Sequence, residues 1–163
     1  MKYESPMGIP DDIARLVGII AAHMEWIELL LERAIAEIQE HDFYRIALLT
    51  NEVSLSSECD LILGYARVFE DKHQDIWKQF TGAIKQIRDA YSRRNEFVHA
   101  QWKRDKDTQK WGRAIVRIKG GKFTLSDEEI DIKELEAAAN QIWNAGENFV
   151  KVLQDRGILT HIQ

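Results

Sequence analysis

Cysteine is nearly absent from this chain. Its one thiol, Cys59, cannot close an internal disulfide, which excludes a disulfide scaffold and a zinc–thiolate site and fits a reducing compartment. Cys59 sits beside Leu61, Ile62 and Leu63, where a buried, unreactive thiol is expected. Proline is as scarce, with two residues, and nine glycines leave little room for a loop-rich or disordered chain. A long apolar run is missing too. The most apolar stretch, residues 16–31, is interrupted by His23, Glu25 and Glu28, so it reads neither as a membrane span nor, far from a basic start, as a signal peptide. The cytoplasm is the expected location. There is no Gly-x-x-x-x-Gly-Lys-[Ser/Thr] loop, no Gly-x-Gly-x-x-Gly and no His-Glu-x-x-His, so no cofactor and no metal is expected.

What is present suits one globular domain across 1–163, with 45% hydrophobic and 30% charged residues. The net charge of -5 is unevenly spread: residues 85–122 hold twelve cations against four carboxylates, the remainder ten against twenty-three. An acidic protein with one strongly basic segment is suited to holding anions, nucleic acid included, although a solvated basic loop has the same composition.

Helical periodicity dominates. Pro10-Asp11-Asp12 opens a helix to about Gln39, in which Ile13, Leu16, Val17, Ile20, Met24, Ile27, Leu31, Ala34, Ile35 and Ile38 recur at three and four residues. Trp26, Leu29 and Leu30 widen its apolar face. Phe43, Ile46, Ala47 and Leu49 predict a short second helix. The serines before Glu58 offer caps for a third, with Leu61, Ile62, Tyr65, Val68 and Phe69 as its apolar side. After a loop at 70–74, Ile76, Phe80, Ile84, Ile87, Tyr91, Phe97 and Val98 mark a long fourth. Residues 112–118 then alternate and are rich in β-branched side chains; with the Gly120-Gly121 turn and a return strand at 123–125 they predict a β-hairpin at about 112–125. The acidic 126–129 leads into a last helix from about 132 to 154, striped by Leu135, Ala138, Ala139, Ile142, Trp143, Phe149, Val150 and Leu153 and ended by Arg156-Gly157. The fold class is mainly α: a bundle of four to five helices with one hairpin between the last two long ones.

His41, His73 and His161 fall at helix ends or in the tail, and His23 reads as a hydrogen-bonded packing residue. His99 differs in its company, in the run Arg93-Arg94-Asn95-Glu96-Phe97-Val98-His99. Asn95 and His99, four apart, share a helix face, whereas Arg94 lies roughly 140° around an ideal helix from His99. Three arrangements reconcile them: the reach of arginine, an irregular helix end at His99, or a facing copy from a second subunit. Chemically the pair is sufficient for metal-independent RNA transphosphorylation. A histidine moves protons near neutrality, and a guanidinium offers a planar fork to phosphate oxygens. The same residues would also complement the dipole of a helix C-terminus.

The motif Arg94-Asn95-x-x-x-His99, late in a long helix of a mainly helical chain, resembles the HEPN superfamily (higher eukaryotes and prokaryotes nucleotide-binding), whose members carry Arg-x4–6-His, often with Asn after the arginine. The resemblance implies a HEPN-like bundle and a homodimer whose two motifs face one cleft. It also implies a metal-independent endoribonuclease, as in toxins and defence effectors. In that setting Arg94 would hold the scissile phosphate, His99 would act as general acid or base, and Asn95 would orient His99 or bind the phosphate. Glu25 or Glu28 would approach the cleft from the first helix, with nothing in the sequence to choose between them. Ala100-Gln101 follows His99, so the chain lacks the His-x-Tyr of members paired with a nucleotidyltransferase antitoxin; an antitoxin or other protein partner stays open. Arg93 and the interleaved Trp102, Lys103, Arg104, Lys106, Lys110 and Trp111 suit RNA binding by charge and stacking, or a basic flank packed on the bundle. The alternative is a catalytically inactive module that binds nucleotide or nucleic acid, or that serves in protein assembly.

Overall fold

The computed structural model describes residues 8–40, 42–50, 53–68, 74–105, 107–119 and 122–158. His41, Phe69, His73, Lys106, Gly120, Gly121 and His161 lie outside the described residues, as does the side chain of Ile76.

Five helices form where the periodicity places them. The first, α1 (Asp11–Ile38), starts after Pro10 with Asp11 and Asp12 in its first turn, where carboxylates oppose the positive end of the dipole. Its buried side runs through Ile13, Leu16, Ile20, Met24, Ile27, Leu31, Ala34 and Ile35, the three-and-four spacing of the sequence. The short α2 (Phe43–Thr50) packs on α1, and α3 (Leu55–Val68) packs on α1 and α4 (Gln74–Val98). Finally α5 (Ile132–Asp155) lies against both α1 and α4 and closes the core. Asp131 caps α5, accepting from the Lys133 backbone N–H. At its far end Gly157 takes a positive φ of 66°, and the Ile158 N–H returns to the Leu153 carbonyl, so the helix stops at the expected glycine.

The apolar side of α3 differs from the expectation. Leu61 and Val68 are exposed, and the buried positions are Leu55, Glu58, Cys59, Ile62 and Ala66. The serine-rich start hides the true stripe, which begins at Leu55 and passes through a glutamate.

The expected hairpin is part of a larger sheet. Strands β1 (Gln101–Arg104), β2 (Trp111–Lys119) and β3 (Lys122–Glu129) form an antiparallel sheet in that order. β1 escapes notice because Gln-Trp-Lys-Arg has no apolar alternation; it is an edge strand, where cations are tolerated and discourage further pairing. The acidic 126–129 belongs to β3 instead of leading into α5. The register explains this: Trp102, Arg113 and Glu128 stand opposite one another across the three strands, so Glu128 faces a cation from the neighbouring strand.

Arg113 fastens the sheet to the bundle. Its side chain is buried, and its Nε and Nη2 both donate to Glu128 Oε2, at 2.8 and 2.7 Å. Its Nη1 donates to the Glu96 backbone carbonyl at 3.2 Å, in the last turn of α4. The guanidinium also lies 4.8 Å from the centre of the Phe97 ring, itself fully buried.

Where α1 and α5 cross, Gly146 lets Trp26 lie flat against Trp143, with ring centroids 4.8 Å apart and planes 19° from parallel. A Cβ at Gly146 would overlap the Trp26 ring. Gly146→Ala is therefore expected to destabilise by about 1–2 kcal/mol, the overpacking outweighing the gain in helix propensity. Urea denaturation followed by tryptophan emission reads it; a more stable variant would mean that the rings shift freely.

Candidate active site

The motif sits where α4 stops. Arg94 and Asn95 are in its last two turns, Phe97 plugs the core, and the helix ends at Val98. Burial of a phenylalanine is worth about 1.5–3 kcal/mol, enough to fix which way the turn faces. His99 lies in the turn that follows, with the Ala100 N–H returning to the Phe97 carbonyl at 3.3 Å. Because His99 is off the regular helix, the separation of roughly 140° expected for five helical residues does not apply. Arg94 Nη1 lies 2.8 Å from His99 Nε2, within one chain.

The proton assignment follows from donor chemistry. Arginine only donates, so Nε2 accepts and the imidazole proton of this arrangement is on Nδ1. The same Nη1 donates to Asn95 Oδ1 at 2.9 Å. Asn95 thus braces the guanidinium that meets His99. Arg94 Nε is sealed from solvent without an acceptor. With both Nη1 hydrogens used, Nη2 is the donor edge left for an anion among the described residues. The exposed His99 ring presents its Nε2 lone pair beside that edge.

The remaining sequence candidates occupy other places. Arg93 gives one nitrogen to Glu96 and the other to Glu134, with Phe97 beneath it, so it serves the same ion-pair network as Arg113. Trp102 packs partly buried against the core. Lys103 and Arg104 stand exposed on β1, Arg104 Nε donating to the Gln109 carbonyl at 3.1 Å. His23 reaches the Ala139 carbonyl at 3.2 Å and its ring meets Trp143, a packing role as expected. Cys59 is fully buried, and burial pushes its thiol up to about 11, leaving it protonated and inert.

Two acidic residues gain significance. Glu28 is an α1 carboxylate that feels the Arg94 charge. Burial, Glu25 and Glu32 raise its proton affinity, and the Arg94 charge opposes them. The spacing of Glu25, Glu28 and Glu32 on α1, three and four apart, was the available signal of one acidic face. Glu58 had none, since a serine-rich approach makes it look like a helix cap. It is buried, with 4% of its surface exposed, and makes no hydrogen bond or ion pair through its carboxyl among the described residues. Burial first, then Glu32 and Glu28, push its pKa from 4.5 up to about 7.

Glu58 therefore makes folding pH-dependent. The unfolded chain releases its proton near 4.5, whereas the folded protein keeps it until about 7. Between these values the folded state binds more protons, so stability falls as pH rises through that window, by about 1–3 kcal/mol in all. Glu32 and Glu28 from α1 act on it electrostatically, and Thr50 from α2 and Tyr91 from α4 line the same cavity. Glu58→Gln is expected to raise the urea midpoint at pH 8 and to remove this fall between pH 5 and 8. An equal fall in wild type and variant would assign the dependence elsewhere.

Comparison with known proteins gives no match to this chain: no family model, no curated protein and no solved structure.

Proposed function

We propose that the chain is a metal-independent endoribonuclease of HEPN type, cleaving RNA by attack of the 2′-hydroxyl. The observation that carries this reading is the 2.8 Å approach of Arg94 Nη1 to His99 Nε2 at a helix end open to solvent. A scissile phosphate takes the place of the imidazole on the guanidinium, drawing two of its oxygens to the Nη2 edge. Nε2, released from Arg94, accepts the proton of the 2′-hydroxyl as that oxygen attacks phosphorus. The 5′-oxygen then leaves with a proton from an imidazolium, and a second copy of the chain, its motif facing the first, supplies that second histidine. Asn95 keeps the guanidinium planar to the phosphate throughout. The products are a 2′,3′-cyclic phosphate and a 5′-hydroxyl. The exposed cations Lys103 and Arg104 on β1 extend the anion-attracting surface next to the motif. A toxin or defence role in the cytoplasm, with an antitoxin or other protein partner, is the setting that fits such an activity.

The test is cleavage of a mixed RNA pool by purified protein in excess EDTA, beside identically prepared His99→Ala. Fragments ending in 2′,3′-cyclic phosphate from wild type alone are expected. Equal cleavage by both proteins, or by neither, would remove the assignment. A second reading, an assembly module without catalysis, is favoured by the exposed apolar side of α2, where Tyr44, Leu48 and Leu49 are each more than 70% exposed. Under that reading Leu48→Lys changes the sedimentation behaviour and no RNA is cut.

A further inference from the structure

Beside the motif, α1, α2, α3 and α4 line an open cavity of about 400 Å³ whose walls include Glu25, Glu28, Glu32 and Glu58. Four carboxylates on one cavity are costly unless cations answer them. Among the described residues, little of this charge is answered. Arg94 attracts Glu28 from one side, and Thr50 Oγ1 donates to Glu32 Oε1 at 3.2 Å. Arg88, also on α4, is turned away to Asp60 at 2.6 Å. Glu58 is the independent pointer: the residue is 4% exposed and lines this cavity, and its carboxyl has no hydrogen-bond or ion-pair partner among the described residues. The sealed, unpartnered side-chain atoms among the described residues are the Nε of Arg88, Arg94 and Arg156, so the Glu58 oxygens keep an opening, and an unpaired carboxylate open to a cavity is placed to accept from a ligand.

We propose that this cavity is a binding site for an alkylammonium cation, with Glu58 and Glu28 as its principal acceptors and Glu25 and Glu32 at its rim.

The character of the walls selects the ligand class. Among the described residues no three carboxylate, imidazole or thiol side chains converge as metal ligands do, so the charge is spread along the cavity and not focused on one point. A chain carrying ammonium groups matches such spread charge. Leu29, Leu55 and the Tyr91 ring give its methylenes an apolar surface, and the ring face also attracts a cation. Each ammonium brings three donors, enough to serve Glu58 and a neighbouring carboxylate together. The same chemistry is available from a free polyamine and from a lysine side chain of a partner protein. Once seated, the cation replaces Arg94 as the partner of Glu28 and leaves the guanidinium less drawn toward α1. The site does not depend on the ribonuclease reading, since its occupancy is measured as binding.

Calorimetric titration of the full chain with spermidine at pH 8 in 0.15 M NaCl tests it. Saturable binding to one site is expected, weakened at least about tenfold by the double substitution Glu28→Gln/Glu58→Gln. A control with the same net charge, Glu136→Gln/Glu147→Gln on the exposed side of α5, is expected to bind as wild type does. Affinity is also expected to fall from pH 8 to 5.5, as Glu58 takes up the proton that the cation must displace. Circular dichroism confirms that the variants are folded, and neutralising Glu58 favours folding at this pH. A parallel titration with acetyl-Leu-Lys-Leu-amide separates the sources: tighter binding of the peptide assigns the ammonium to a partner's lysine, tighter binding of spermidine to a free polyamine, and either ranking supports the site. Equal weakening by the two double variants would mean diffuse attraction to an acidic protein and overturn the proposal. So would the absence of saturable binding by both probes.

Discussion

Replacing His99 by alanine is expected to lower RNA cleavage about 10²–10⁴-fold, and replacing Arg94 by alanine to do the same, with little change in folding from the exposed His99. The two losses should not add. Arg94 and His99 share one hydrogen bond and, under the proposed function, would share one substrate phosphate, so the double variant is expected to be no worse than the poorer single one. Arg94→Lys should fail to restore activity. One guanidinium nitrogen binds both Asn95 Oδ1 and His99 Nε2 while the next faces solvent, and an ammonium cannot hold that planar division. Single-turnover rates on a defined RNA in EDTA measure all four proteins. Additive losses, or rescue by lysine, would show two independent charges in place of a working pair.

Arg113→Ala is expected to be the most destabilising of the single substitutions considered, by about 2–4 kcal/mol. Its guanidinium is buried, and its removal leaves Glu96, Glu128 and Glu134 with Arg93 as the remaining cation of the cluster. Those carboxylates are between 30% and 45% exposed, so water relieves part of the imbalance and the cost falls below that of a fully buried pair. The loss is also local. Arg113 binds the Glu96 carbonyl, within the motif turn, so amide exchange should quicken at residues 96–100 more than in α1 or α5. Arg113→Met/Glu128→Gln, which removes both charges of the strongest pair, should recover much of the stability. A loss under about 1 kcal/mol for Arg113→Ala would show that the sheet is held by its apolar contacts alone.

The helices were legible because burial on one side imposes a period that survives in any sequence, as α1 and α5 show at nearly every position. β1 was not legible, since an edge strand on the surface needs no apolar alternation, and Gln101, Lys103 and Arg104 supply none. The acidic 126–129 misled for a related reason: carboxylates ahead of a helix suit its dipole, but a cross-strand arginine suits them too, and only the register distinguishes the two. The motif residues were legible by type. Their meeting was not, because local spacing says how far round a helix a side chain lies and nothing about whether the helix has ended. Arg93 beside Arg94 carries the same charge, yet Glu134, forty-one residues away in the chain, assigns it to holding the fold. Glu58 lay outside any local pattern, for its burial is made by α1 and α3 together.

The end of α4 at Val98 changes what the interval between the two motif residues has to satisfy. Were both side chains on the helix, each added residue would swing the imidazole by roughly 100°, and a single interval would work. With His99 in the turn, the requirement becomes one of tether length: the imidazole must arrive within a hydrogen bond of a long, adaptable arginine. An extra residue after Val98 can loop out into solvent, whereas an extra residue before Phe97 would drag that ring from its socket. Length variation in this motif is thus tolerated on one side of Phe97 and forbidden on the other.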